Sequence, residues 1–148
     1  MNYYSLILCL ILSIVGNETE QFVEFKDTKI TVEKDSDYVT ITLPFEVLEP
    51  YHIQSNSEVS EELITTEITL KENNAYKIVS QEFSLKQEQV IDLNGAMHKV
   101  ISNQFEVTVV LKLKESTSNA KLEGELYYQA CSDRQCLFPR GLNFKISI

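Results

Sequence analysis

Hydrophobic and polar residues alternate along most of this chain with a period of two. The first clear run extends from Val39 to Val47, where apolar side chains occupy nearly every second position. Four similar runs follow, at 64–70, 105–113, 122–128 and 142–148. Because successive side chains of a strand point to opposite faces of a sheet, these runs predict strands with one buried face. Pro44 has no N–H to donate, which predicts that its strand lies at an edge or carries a bulge.

Turn-forming residues separate the alternating runs. Examples are Asp35-Ser36-Asp37, Asn73-Asn74 and Asn94-Gly95. Between Ser57 and Leu63 the pattern leaves room for one helical turn and no more. Short strands at this spacing predict an all-β fold, specifically an immunoglobulin-like β-sandwich. The length of 148 residues fits a single domain.

The first sixteen residues differ from the rest of the chain. Met1 to Gly16 carry no charged side chain and include the apolar run from Leu6 to Leu12. This length suits the hydrophobic part of a signal peptide and is short for a membrane span, although the segment lacks the usual basic residue near its start. We therefore expect a signal peptide at 1–16 and an exported domain at 17–148. A buried first strand or an uncleaved anchor is the alternative.

The charge of the chain restricts its partners. The formal net charge is −9, and no cluster of lysines or arginines interrupts it. Nucleic acids and anionic membranes need positive charge on the protein, so neither is expected as a partner. Only four glycines are present, too few for a phosphate-binding loop, and no cofactor is predicted.

The cysteines are the strongest chemical signal. Cys9 lies in the expected leader, which leaves Cys131 and Cys136, with four polar or charged residues between them. Strands at 121–129 and 142–148 predict a β-hairpin with these cysteines at its tip, at one end of the sandwich. Cysteines at the two ends of such a loop can approach within disulfide distance. Such a bridge can be a permanent structural link or a reversible dithiol, and the spacing alone does not choose. Between them, Arg134 would favour a thiolate and Asp133 would oppose it.

Other candidate residues have ordinary interpretations. Two histidines, His52 and His98, could complete a tetrahedral metal site with the cysteines. They are isolated in sequence and lack the paired spacing of metal ligands, so no metal site is predicted. We expect His52 at the start of a strand and His98 in a loop. On the strand before the cysteines, alternation points Tyr128 into the core beneath them and Tyr127 to the opposite face.

The segment around the cysteines resembles a known family. Tyr128-Gln129-Ala130-Cys131, Asp133, and Cys136 followed by Leu137-Phe138-Pro139 are similar to the cysteine motif of the N-terminal periplasmic domain of the DsbD thiol:disulfide interchange proteins. A second similar segment is Glu49-Pro50-Tyr51-His52-Ile53. The resemblance implies an immunoglobulin-like fold, in agreement with the alternation.

The resemblance also implies a function. Cys131 and Cys136 would be a redox pair that relays reducing equivalents, with Cys136 attacking the partner, a role linked in the family to cytochrome c biogenesis. Tyr128, Asp133 and Arg134 would support the pair, and the segment 94–98, with Met97 and His98, would be a cap that shields it. The partners would be periplasmic thioredoxin-like or disulfide-carrying proteins.

The membrane domain and the thioredoxin-like domain of the family are not found in this sequence. A separate membrane electron transporter would therefore have to supply the electrons. Two alternatives remain open: an interaction module with a structural disulfide, and a metal-handling module.

Overall fold

The computed structural model describes residues 19–57, 61–86, 89–93, 95–114 and 119–148. In these residues the chain forms strands and one short 3₁₀ helix, Asp27–Lys29. The strands are β1 (Val23–Phe25), β2 (Thr31–Asp35), β3 (Tyr38–Val47), β4 (His52–Gln54), β5 (Glu67–Leu70), β6 (Tyr76–Leu85), β7 (Gln89–Leu93), β8 (Ala96–Ile101), β9 (Gln104–Leu113), β10 (Lys121–Tyr128), β11 (Ala130–Cys131) and β12 (Arg140–Ser147). The predicted signal peptide at 1–16 lies outside the described residues.

Two sheets form the body of the fold. One has the order β1-β3-β9-β6 with β2 also paired to β3, and the other has the order β12-β10-β5. The alternating residues of β3, β9 and β10 are buried, as their period predicts, and form one core cluster. The all-β, immunoglobulin-like sandwich is thereby confirmed. Within the described part of the chain, no helix is long and apolar enough to cross a membrane.

Aromatic rings join the two sheets. The ring of Phe45 on β3 lies 5.3 Å from that of Phe105 on β9 and 5.9 Å from that of Phe144 on β12. Phe25 on β1 packs 5.2 Å from Phe144. Large aromatic side chains contribute much of the apolar area that a core buries, so these contacts fix the two sheets face to face.

The expectation for Pro44 was wrong. Its strand, β3, is central, with β9 on one side and both β1 and β2 on the other. The Pro44 carbonyl accepts a hydrogen bond from Lys26 N at 2.9 Å. Because the N–H and C=O of one strand residue point to the same side, the missing N–H of Pro44 faces the gap between β1 and β2. No ladder bond is lost there.

A third sheet, made of four short strands and called the small sheet below, carries the cysteine region. Its order is β11-β4-β8-β7. The predicted hairpin between β10 and β12 is confirmed, since Tyr128 pairs with Arg140. The cysteines lie in its connection, as predicted, where Cys131 and Cys136 form an antiparallel bridge on either side of a tight turn. After Tyr128 the chain leaves β10 and adds β11 to β4, so residues 129–139 are an excursion into the third sheet.

Several strands carry no alternation and were not predicted. All of β2 is exposed and all of β4 is buried, so neither has two unlike faces. Strand β6 shifts its register between Ile78 and Ser80, which interrupts the period. Gly95, the described residue of the predicted Asn94-Gly95 turn, lies between β7 and β8 and has a φ of 85° that favours glycine.

Tyr128 fixes the first described residues to the core. It is fully buried, whereas its neighbour Tyr127 is 39% exposed, as the alternation predicted. The Tyr128 hydroxyl accepts a hydrogen bond from Phe22 N at 2.9 Å and donates one to Gln21 Oε1 at 2.8 Å. Removing this oxygen would leave a buried backbone N–H without its acceptor.

We therefore expect Tyr128→Phe to lower the free energy of unfolding by about 1–3 kcal/mol, the usual cost of an unsatisfied buried group. Urea denaturation of the purified chain measures this. Tyr127→Phe is the matched control and should change stability by less than about 0.5 kcal/mol. Equal losses in the two variants would contradict the role assigned to the Tyr128 hydroxyl.

Candidate functional site

Cys131 and Cys136 form a disulfide whose two halves differ in exposure. The sulfur atoms are 1.98 Å apart and the two Cα atoms 3.9 Å apart. Cys131 has no exposed surface, whereas Cys136 is exposed. Thiol–disulfide exchange requires a nucleophile to reach a sulfur atom, so access favours attack at Cys136.

A tight turn holds the two cysteines side by side. Ser132 N donates to Gln135 O at 2.9 Å, and Leu137 N donates to Ala130 O at 2.8 Å. Ser132 Oγ accepts a 3.3 Å hydrogen bond from Arg134 N. Short polar side chains often bond to nearby backbone in this way and stabilise turns. Backbone and side-chain bonds thus order the loop independently of the disulfide.

Strand β4 places the second resembling segment beside the first. Cys131 lies opposite His52, and Ala130 lies opposite Ile53. The run from Glu49 to Ile53 therefore lies next to the cysteine motif, although about eighty positions separate them in the sequence. The structure brings together the two segments on which the resemblance was based.

Gln54 was missed by the sequence analysis and contacts the buried cysteine. Its side chain has no exposed surface, and its Nε2 donates a 3.2 Å hydrogen bond to Cys131 Sγ. Its Oε1 is buried and has no hydrogen-bond partner among the described residues. A polar residue that ends a short apolar stretch gives no sequence signal that it lies in a buried strand.

His52 occupies the first position of β4, as its ordinary interpretation predicted. It is buried, and burial lowers the pKa of the imidazole below its usual value because the charged form loses water. The nearby carboxylate of Asp133 acts in the opposite direction and is the weaker influence. His52 Nε2 has no hydrogen-bond partner within the described part of the chain.

The remaining predicted support residues lie in different environments. Asp133 and Arg134 are exposed in the turn between the cysteines. Tyr128 is buried, as expected, but its hydroxyl is directed to residues 21 and 22. The turn thus presents one acid and one base to solvent at the site.

The predicted cap is separated from the disulfide. Ile53 pairs with both Ala130 and Ile101, so these three residues mark one row of the sheet. His98 lies three residues before Ile101, on the side away from Cys131. At strand rises of about 3.3 Å and strand spacings of about 4.8 Å, His98 is about 13 Å along and about 10 Å across from Cys131.

This register corrects the cap assignment for Met97 and His98. Both belong to the β7–β8 hairpin, where they pair with Asp92 and Ile91, so His98 lies in a strand and not in the expected loop. The sequence position of the segment was compatible with a cap, but antiparallel pairing directs it to the other end of the small sheet. Asn94 lies outside the described residues.

An exposed aromatic side chain adjoins the reachable cysteine. Phe138 is 87% exposed, and Leu137 beside it is partly buried against the core. Alternation does not reveal exposure in a loop, so the exposure of this ring was not predictable from the sequence. Among the described residues, no three His, Cys, Asp or Glu side chains gather to hold a metal ion.

Comparisons with known proteins identify the fold. No protein-family model and no curated protein sequence matches the chain. The N-terminal periplasmic domain of ScsB from Proteus mirabilis is similar in structure, with a TM-score of 0.53 and 20% identity over 78% of this chain. This match covers 44% of that chain.

The N-terminal domain of Neisseria meningitidis DsbD in its reduced form gives a TM-score of 0.45 and 16% identity. It matches 80% of this chain and 82% of its own. At these identities the likeness is one of fold alone. The predicted DsbD-like N-terminal fold is confirmed by the likeness to the Proteus mirabilis domain.

The burial of His52 predicts a pH dependence of stability. Because its pKa is lowered in the folded state, the unfolded chain binds a proton more readily as the pH falls below about 6.5. The stability present above that pH is therefore lost on acidification towards the folded pKa. In His52→Gln this part of the loss should disappear.

Urea denaturation at pH 7.5 and at pH 5.5 tests this expectation. The wild-type chain should lose more free energy of unfolding between the two pH values than His52→Gln does. His98→Gln, which removes a half-buried imidazole elsewhere in the same sheet, controls for the loss of one histidine. A pH-dependent loss of the same size in wild type and His52→Gln would refute the assignment.

Proposed function

We propose that this chain is a thiol:disulfide exchange domain that works through the Cys131–Cys136 pair. The observation that carries the proposal is the asymmetry of the disulfide, with Cys136 exposed and Cys131 buried. A reactive pair needs one sulfur that a partner can reach and a second that can resolve the mixed disulfide. The arrangement supplies both within one turn.

In the reducing direction, the Cys136 thiolate attacks one sulfur of a partner disulfide. A mixed disulfide forms, and the other partner sulfur leaves as a thiolate. The Cys131 thiolate then attacks Cys136 Sγ and releases the second partner sulfur. The domain ends oxidised, the partner has gained two electrons, and the proposed redox pair has acted as a carrier.

The surroundings of Cys136 support docking of a protein partner. Phe138 offers an exposed apolar ring two residues away. Aromatic residues are enriched at interfaces because they bury a large area with few rotatable bonds. We propose that thioredoxin-like or disulfide-carrying proteins dock here, and that a separate membrane electron transporter re-reduces the pair.

The proposal includes an exported location. The Proteus mirabilis domain, which is similar in fold, is periplasmic, and this supports an exported location for this chain. Residues 1–16 would be a signal peptide and 17–148 the mature domain. Redox exchange of this kind needs a compartment in which disulfides persist.

A structural disulfide is the second candidate. It is favoured by the complete burial of Ala130 and Cys131, since the bridge then ties the end of the buried strand β11 to the turn that follows it. Closing so short a loop contributes only about 2 kcal/mol in the chain-entropy account. The turn also has its own hydrogen bonds, so the bridge is not needed to order it.

The reduction potential of the pair distinguishes the two candidates. We expect a value of roughly −120 to −270 mV, the range of catalytic couples, in glutathione buffers with thiol trapping. Mass spectrometry of the digested peptides reports the Cys131–Cys136 pair separately from Cys9. A value below about −300 mV would identify a structural bridge and reject the proposal.

Single-cysteine variants test the assigned roles of the two sulfurs. Cys131→Ser leaves the exposed Cys136, which should form a stable mixed disulfide with glutathione disulfide or a partner. Of the pair, Cys136→Ser leaves the buried Cys131, which should form it at least about tenfold more slowly because a buried sulfur is harder to reach. Equal or reversed rates would show that Cys136 is not the attacking residue.

A further inference from the structure

Gln54 is a fully buried polar side chain, and its amide nitrogen donates a hydrogen bond to a cysteine sulfur. Its Nε2 donates to Cys131 Sγ at 3.2 Å, across 77 positions of sequence. Burying an amide is unfavourable unless its polar atoms are bonded. A buried glutamine beside a disulfide therefore requires a physical reason.

The small sheet explains how Gln54 reaches the sulfur. Cys131 lies opposite His52, and Gln54 follows two residues later on the same face of β4. A residue at this diagonal position is within reach of a long side chain. The backbone of Gln54 pairs with Val100, and its carbonyl accepts a 2.5 Å hydrogen bond from Thr66 Oγ1. The base of the side chain is therefore held in place.

In the disulfide-bonded state, the hydrogen bonding of the Gln54 amide is weak and incomplete. A disulfide sulfur is a weak acceptor, and Gln54 Oε1 has no hydrogen-bond partner among the described residues. Each buried unsatisfied group in a native protein calls for an explanation. A thiolate at Cys131 would accept the N–H much more strongly, because hydrogen bonds to ionised groups are about twice as strong as neutral ones. A thiol there could donate to Oε1.

We infer that Gln54 is a positioning residue that stabilises the Cys131 sulfur whenever the Cys131–Cys136 bond is broken or formed. The inference rests on the proposed function. When a partner thiolate attacks Cys136 Sγ, a bond forms between those two sulfurs. The bond to Cys131 breaks, and its electron pair stays on Cys131 Sγ, which the Gln54 N–H stabilises. In the reverse step the same contact holds the Cys131 thiolate towards Cys136.

Other groups near the buried sulfur do not replace this donor. His52 lies directly opposite Cys131, but its Nε2 has no hydrogen-bond partner among the described residues, and burial lowers its pKa, which disfavours a positive charge beside the sulfur. Asp133 is exposed and would oppose a thiolate rather than support it. Within the described residues, Gln54 is the side chain with a recorded hydrogen bond to Cys131 Sγ.

The rate of reduction of the disulfide by dithiothreitol tests the inference. Gln54→Leu removes the donor at similar volume and should slow reduction by about tenfold or more, since the thiolate loses a charge-assisted hydrogen bond. Thr66→Val is the matched control. It removes a buried hydrogen bond to the backbone of the same residue but not the bond to sulfur, and it should stay within about twofold of wild type.

A pH profile separates a direct effect on sulfur from general loosening of the fold. In the Cys136→Ser background, alkylation of Cys131 is followed on its own peptide by mass spectrometry. Gln54→Leu should move the midpoint of this profile to higher pH by about one unit, because the thiolate loses its donor. Thr66→Val should leave the midpoint in place.

If Gln54→Leu does not fold, the same reduction experiment is carried out with Gln54→Glu. An ionised carboxylate would repel the leaving thiolate, so reduction should be slow near neutral pH and recover, relative to wild type, as the carboxyl becomes protonated. A constant ratio of the two rates across this pH range would overturn the inference.

The outcomes separate the two proposals. If the wild-type disulfide resists dithiothreitol until the fold melts, the exchange function fails, whatever Gln54 does. If wild type is reduced readily and Gln54→Leu matches it, the inference alone is overturned. It is also overturned if Gln54→Leu and Thr66→Val slow the reaction equally, since the effect is then structural.

Discussion

The pairing of β11 with β4 is the constraint on which the site depends. Two residue pairs, Ala130 with Ile53 and Cys131 with His52, attach the cysteine excursion to the small sheet. Without them, Cys131 would belong to an exposed loop between β10 and β12. The pairing buries one sulfur and leaves the other at the surface, and it brings Gln54 within reach of the buried one. The difference between the two cysteines therefore comes from the fold and not from their immediate neighbours in sequence.

The strands around the cysteine pair also determine how the buried thiol can be activated. Thioredoxin-type sites activate a thiol with the amino end of a helix, and the described residues around this pair are all strand and turn. Here the electrostatic help to the buried sulfur would come from one amide donor fixed by sheet register. Such a site would have modest intrinsic reactivity, which would suit the proposed carrier that exchanges after docking. Phe138 exposes an apolar ring two residues from Cys136 for the proposed docking.

Within the two large sheets, the sequence predicted the strands that have one buried and one exposed face. The period of two in β3, β9 and β10 follows directly from this difference. It failed for β2 and β4, whose residues are uniformly exposed or uniformly buried. For Pro44, the edge rule failed because two short strands share one side of β3 and leave a gap at the proline.

The candidate site was predictable only where it is local in sequence. The cysteine pair and its turn are contiguous, and the resemblance identified them. Gln54 and the position of Met97 depend on register between strands that lie far apart in the chain. A slip of one residue would reverse every side chain in a strand, so no local pattern could have assigned these contacts.

The hydrogen bonds of residues 21 and 22 have a further meaning for how the molecule assembles. Gln21 Nε2 donates to Gly141 O, and Phe22 N donates to Tyr128, so segments more than one hundred positions apart meet at the cysteine end of the sandwich. Contacts of such long range make folding slow, since a large loop must close before they form. A chain emerging amino end first cannot complete this end of the molecule until Gly141 has been made. Residues 21 and 22 therefore remain without these partners until the last strand of the sandwich has been made.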